Sequence, residues 1–132
     1  MRLSVACSFD DAFIDGLKGL HVYELYGKVS EDFMGGGRPS WYLPKVGKAK
    51  VEHTVRKAHQ RSIQFNYLMN ASCMGNAEYT REGYREIRQT LDWVSQIECD
   101  SVTVGTIYLL QLIKQNYPHL KVRISSHRFT DS

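Results

Sequence analysis

Asn66-Tyr67-Leu68-Met69-Asn70-Ala71-Ser72-Cys73-Met74-Gly75-Asn76 stands between an apolar run and a long amphipathic pattern. The run before it, Ser62 to Leu68, has the composition of a buried strand. The stretch after it, from about Thr80 to Ile97, steps Tyr84, Ile87, Leu91 and Val94 by threes and fours and predicts a helix. Arg81, Arg85 and Arg88 interleave with Glu82 and Glu86 on its outer side. Trp93 borders the apolar stripe and reads as a packing residue. A strand that runs into asparagines, a cysteine and a glycine before a helix has the form of a βα connection. In α/β proteins such connections, at the carboxyl ends of the strands, are where ligands bind.

The same unit recurs in both directions. Leu3 to Phe9 predicts a short strand, Asp10-Asp11 an N-cap, and Phe13, Ile14, Leu17 and Leu20 a helix that Gly19 ends, with Gly16 weakening its middle. His21 to Tyr26 predicts a second strand. A long connection follows, carrying Gly35-Gly36-Gly37-Arg38 and punctuated by Pro39 and Pro44. From about Lys45 to Arg61 a helix buries Val51, Val55 and Ala58. Its opposite face bears Lys48, Lys50, Arg56, Lys57 and His59, which we read as solvated rather than as a nucleic-acid surface. Downstream, Asp100 to Val104 is a fourth strand, and Gly105-Thr106 opens a helix built on Leu109, Leu112 and Ile113. Asn116-Tyr117-Pro118-His119 stops that helix, and Leu120 to Ser125 is a fifth strand.

The order β-α-β-α-β-α-β-α-β implies parallel strands joined by right-handed crossovers. The expected class is α/β, a single (β/α)4β domain over residues 1–132. Two architectures satisfy it: half of a TIM-type (β/α)8 barrel with five parallel strands, or an open doubly wound parallel sheet. Complete barrels take about 250 residues, against 132 here. No dinucleotide fingerprint or P-loop is present.

Composition narrows the class further. Apolar residues make up 42% and charged residues 23%, which is globular usage, and the formal net charge of +3 is too small to imply nucleic acid by itself. No apolar run approaches the roughly 20 residues of a membrane span, and no signal peptide is recognisable, so a cytoplasmic location without membrane partners is expected. Cys7, Cys73 and Cys99 form no CxxC pair and no zinc spacing. One copy of the chain has too few thiolates for the usual four-cysteine iron–sulfur site.

Taken in order, Met1 to Phe9 with Asp10-Asp11, Tyr23-Glu24-Leu25-Tyr26-Gly27-Lys28, Gly35-Gly36-Gly37-Arg38, Phe65 to Asn76, and Asp100-Ser101-Val102-Thr103-Val104 resemble the N-terminal half of the collagenase-like peptidase family, unassigned peptidase family thirty-two. The resemblance extends to about Ser125. It implies a TIM-barrel-like fold and a peptidase-type activity whose catalytic residues are not settled in the family. Related members resemble oxygen-independent hydroxylation proteins acting on transfer RNA, ribosomal RNA or a quinone precursor, and some carry a cysteine-bound iron–sulfur cluster. Most of those cluster cysteines fall in the part of the family beyond this chain. We therefore assign no metal ligand, and no cofactor is supplied by this chain alone.

The strand assignments bring Phe9, Tyr26, Asn66, Asn70, Thr103 and Ser125 towards one rim. Glu24 is an acid or base if it points into the barrel mouth, and otherwise an acid paired with a nearby cation. Cys73 is a nucleophile if a neighbour lowers its pKa, and otherwise a small packing residue. His53 and His59 lie on an outer helix, a poor place from which to activate it, and His127 lies in the tail. Gly35, Gly36 and Gly37 allow backbone N–H groups to approach an anion, and Arg38 offers a forked contact to a carboxylate or phosphate. Asn66, Asn70 and Asn76 orient a substrate carbonyl or satisfy loop backbone. The expected substrates are a peptide or an RNA. The first and fifth strands of a half-barrel would have unpaired edges, so self-association is expected, and a non-enzymatic half-barrel supporting a partner is the competing class.

Overall fold

The computed structural model describes residues 3–17, 19–29, 46–69 and 80–125. Strands β1 (Leu3–Ala6), β2 (Val22–Gly27), β3 (Gln64–Met69), β4 (Ser101–Val104) and β5 (Lys121–Ile124) form one parallel sheet in the order β1-β2-β3-β4-β5. Helices α1 (Asp11–Asp15), α2 (Lys48–Gln60), α3 (Arg81–Gln96) and α4 (Ile107–Asn116) alternate with them. A doubly wound sheet reverses its strand order to place helices on both faces. The order here never reverses, so crossovers of one hand put every helix on the same face. That is the arrangement of a half-barrel, with an open sheet.

Side chains alternate across a strand, and here the alternation separates two environments. Leu25, Phe65, Tyr67, Met69, Val102 and Val104 are buried in the apolar core together with Val51 and Val55 of α2, Ile87, Leu91 and Val94 of α3, and Leu109 and Ile113 of α4. Full burial of a Leu or Ile contributes about 1.5–3 kcal/mol, so this layer dominates the stability. The residues between them on the strands form the opposite, concave face.

Local chemistry sets the helix ends. The Asp10, Thr80 and Thr106 side chains accept from the backbone N–H groups of Ala12, Gly83 and Leu109 at 3.0, 2.9 and 3.2 Å, capping α1, α3 and α4. After α2, Ile63 N donates to Ala58 O and Ser62 N to His59 O; after α3, Cys99 N donates to Val94 O and Glu98 N to Ser95 O. Both closures need a left-handed residue, and Ser62 and Glu98 supply it with φ of 61° and 67°.

Three expectations are corrected. Helix α1 ends at Asp15, with Gly16 as its C-cap rather than its interior, because glycine is a poor helix former. Gly19, at φ 89°, belongs to the following turn. Tyr84 leaves the apolar stripe: it is 42% exposed, and its hydroxyl accepts from Arg88 Nη1 at 2.8 Å. The basic face of α2 is only partly solvated. Lys57 lies 3.3 Å from Asp15, His59 is 2.8 Å from Asp100, and the Lys48 ammonium sits 5.1 Å from the Trp93 ring centre. Lys50 and Arg56 remain exposed.

Those contacts belong to a series that fastens each helix to the next. His53 and Lys57 on α2 reach Asp11 of α1, and the His53 hydrogen bond is the main reason the Asp11 carboxyl sits below its ordinary pKa. Trp93 Nε1 on α3 donates to Glu52 Oε2 on α2 at 2.8 Å. Tyr117, after α4, donates its hydroxyl to Asp92 and accepts from Arg88 Nε, both on α3.

Candidate functional site

Because all five strands are parallel, their carboxyl ends share one pole. Gly27, the last residue of β2, is in register with Tyr67 on β3. The ends of β2 and β3 therefore lie on neighbouring strands at that pole. Val29 N donates to the Tyr67 hydroxyl at 3.3 Å, tying the chain just after β2 to β3. Gly35, Gly36, Gly37, Arg38, Asn70, Cys73 and Asn76 follow those two strands in sequence and lie outside the described residues.

The loop after β1 closes over the same pole. Phe9 has a φ of 60°, and its ring lies 5.9 Å from that of Phe65, centre to centre. A Cβ on Gly27 would come within 2.7 Å of the Phe9 ring, so glycine is what lets the ring sit there. Phe9 is thus at the expected pole, but its side chain belongs to the core and not to the rim. Ser125 is buried at the end of the sheet, and its N–H donates to Val104 O at 2.8 Å.

Glu24, Tyr26, Asn66 and Thr103 share the concave face. Tyr26 faces Asn66 in register, and Thr103 Oγ1 donates to Asn66 Oδ1 at 2.9 Å. Glu24 is 1% exposed. Its Oε1 accepts from both Ser4 Oγ, at 2.8 Å, and Arg123 Nη1, at 2.5 Å. It points to the concave side and is paired with a cation. Its second oxygen, Oε2, is buried and has no hydrogen-bond partner among the described residues; the same holds for Gln64 Oε1 and Ser101 Oγ on this face. An unsatisfied buried polar group costs about 1–3 kcal/mol, so the concave face holds unspent hydrogen-bonding capacity.

Arg123, Ser4, Gln64 and Ser101 are not among the residues sequence reasoning selects. A signal for them exists. Ser101-Val102-Thr103-Val104 and Lys121-Val122-Arg123-Ile124 alternate polar with apolar. Parallel strands covered on both faces read as continuous apolar runs; alternation marks a face that no helix covers.

The described cysteines are buried and free of disulfides. Burial, and then the neighbouring Asp100 charge, push the Cys99 thiol up to about 12, which keeps it protonated. His53 and His59 are committed to Asp11 and Asp100 on the helix side. Among the described residues no three His, Cys, Asp or Glu side chains gather as a metal site. No helix among them is long and apolar enough to cross a membrane.

No family model matches the chain. An uncharacterized protease of Methanocaldococcus jannaschii is 31% identical over 110 residues, covering 83% of this chain and 32% of that protein. A solved structure of a U32 peptidase superposes with a TM-score of 0.76 at 25% identity, covering 95% of this chain and 48% of that one. The chain thus spans about a third of the curated relative and about half of the structural one.

Proposed function

We propose, on the premise that this chain carries part of the U32 peptidase family's fold and sequence, that it acts in peptide-bond hydrolysis at the carboxyl-end pole of its strands. The observation that carries this reading is the position of Glu24: buried on the polar concave face, held at one carboxylate oxygen, with the other unengaged. A carboxyl group so held can pass a proton through its free oxygen. In this reading the Cys73 thiol gives its proton to Glu24 as its sulfur attacks the scissile carbonyl carbon; the C–N bond breaks as the leaving amine takes that proton from Glu24, and water then hydrolyses the thioester, releasing the acid and restoring the thiol. Tyr26, Asn66, Asn70 and Asn76 orient the peptide carbonyls. Backbone N–H groups of Gly35, Gly36 and Gly37, with Arg38, receive a substrate carboxylate. The test is cleavage of gelatin and of a peptide library by the purified protein. Loss of at least about 100-fold in both Cys73→Ser and Glu24→Gln is expected for a nucleophile and its proton-transfer partner; unchanged rates in both remove those roles. Iron and brown colour after anaerobic purification would instead favour the hydroxylase reading.

A second reading is a half-barrel that associates with a copy of itself. It is supported by β1 and β5, each hydrogen-bonded to one neighbouring strand among the described residues. Leu3 and Ile124 on those strands are 43% and 55% exposed. Light scattering decides it: a dimer supports the reading and a well-folded monomer removes it.

A further inference from the structure

We infer that Glu24 Oε2, Gln64 Oε1 and Ser101 Oγ form an acceptor-lined subsite for an uncharged N–H group of a peptide, a backbone amide or a primary carboxamide. The inference deepens the peptide-directed reading above and rests on it. All three atoms are buried without hydrogen-bond partners among the described residues. Glu24 and Gln64 face each other in register across β2 and β3, about one strand spacing apart. Ser101 faces Asn66, two residues further along β3 from Gln64, on the same side of the sheet. Each of these atoms can accept a hydrogen bond, and no donor among the described residues meets them.

The loading of Glu24 argues that the pairing leaves one carboxylate oxygen available by design. Ser4 and Arg123 both donate to Oε1, where an arginine–carboxylate pair commonly engages both oxygens. The pairing therefore fixes the carboxylate and leaves Oε2 available. The charge balance selects the ligand. Arg123 already neutralises Glu24, so an ammonium ion here would meet a guanidinium close by in a partly desolvated site. An amide N–H gains the same acceptors without that repulsion. Gln64 is half-buried and the Arg123 side chain is 42% exposed, so the subsite borders the open side of the sheet.

The probe is acetyl-glycyl-glycinamide, an uncharged molecule with several N–H donors, compared with its fully N-methylated counterpart. Titration of the whole chain is followed by NMR at the Glu24 side-chain carboxyl carbon and the Gln64 carboxamide. The expected result is a saturable shift with the first and none with the second. Gln64→Lys, which places an amine beside Glu24 Oε2 within the chain, is expected to weaken binding at least tenfold. Equal shifts with both probes, no shift with either, or a Gln64 carboxamide already bonded to Glu24 in the free protein would each overturn the inference. The wild-type comparison decides even where the variant fails to fold. Saturable binding without gelatin cleavage would sink the peptidase reading alone. Cleavage undiminished by Gln64→Lys would sink the subsite alone.

Discussion

Arg123 on β5 donates to Glu24 on β2 at 2.5 Å, across 99 residues of sequence. Strands β3 and β4 lie between them. In a flat sheet those strands would stand about 14 Å apart. The contact is therefore made over a sheet that curls towards its concave side, and it joins a fully buried acid to a half-exposed base.

Removing the base should cost more than removing the charge on the acid. Arg123→Met leaves Glu24 buried with Ser4 as its donor and is expected to destabilise by about 1–3 kcal/mol. That is below the full cost of breaking a buried pair, because Arg123 is partly solvated. Glu24→Gln keeps an oxygen for both donors and should cost less. Urea denaturation of the two variants, compared through their midpoints, checks the order; a larger loss in Glu24→Gln would contradict it.

Gly27 and Phe9 should behave as one unit. Gly27→Ala puts a methyl group 2.7 Å from the Phe9 ring, closer than real contacts allow. A loss of about 1–3 kcal/mol is expected, as for other overpacked sites. In a Phe9→Leu background the same substitution should cost markedly less. A double-mutant cycle measures the coupling, and strictly additive losses would show that the ring does not constrain the glycine.

Cys99 gives a pH dependence with a definite sign. Burial raises its thiol from 9.0 to about 12, so the folded state keeps a proton that the unfolded chain gives up. Its contribution is fully present below pH about 9 and is lost as pH rises towards 12. Stability measured across that alkaline window should fall, and Cys99→Ala should flatten the fall. Iodoacetamide should label Cys99 slowly in the native protein at pH 8 and rapidly in urea.

Trp93 joins two helices and the sheet. It donates to Glu52 on α2 and meets Tyr67 on β3 edge-on, with ring centres 5.6 Å apart. Trp93→Phe keeps most of the packing but leaves Glu52 without that donor, for an expected loss of about 1 kcal/mol. Trp93→Ala should lose about 3–5 kcal/mol. Comparable losses in the two variants would mean that the hydrogen bond, and not the ring, carries the contribution.

The alternation of strands and helices is legible in the chain because it rests on local chemistry: hydrophobic period, an aspartate cap before α1, and a proline after α4. From that followed the shared pole of the two candidate connections, since parallel neighbouring strands must release their loops on the same side. Where the local signal was weak, tertiary packing decided. The sequence pattern puts the end of α1 at Gly19 and only a weak point at Gly16, yet the helix closes at Gly16; Tyr84 fits the apolar stripe by spacing, yet its hydroxyl is held by Arg88 on the exposed side. Strand order cannot be read from local pattern either, which leaves the half-barrel and the doubly wound sheet both open; the family resemblance favours the half-barrel, and the pairing order decides for it. The concave face lay furthest from reach. Arg123 meets Glu24, and Thr103 meets Asn66, only because a curved sheet folds distant strands together, and no window of sequence contains both partners.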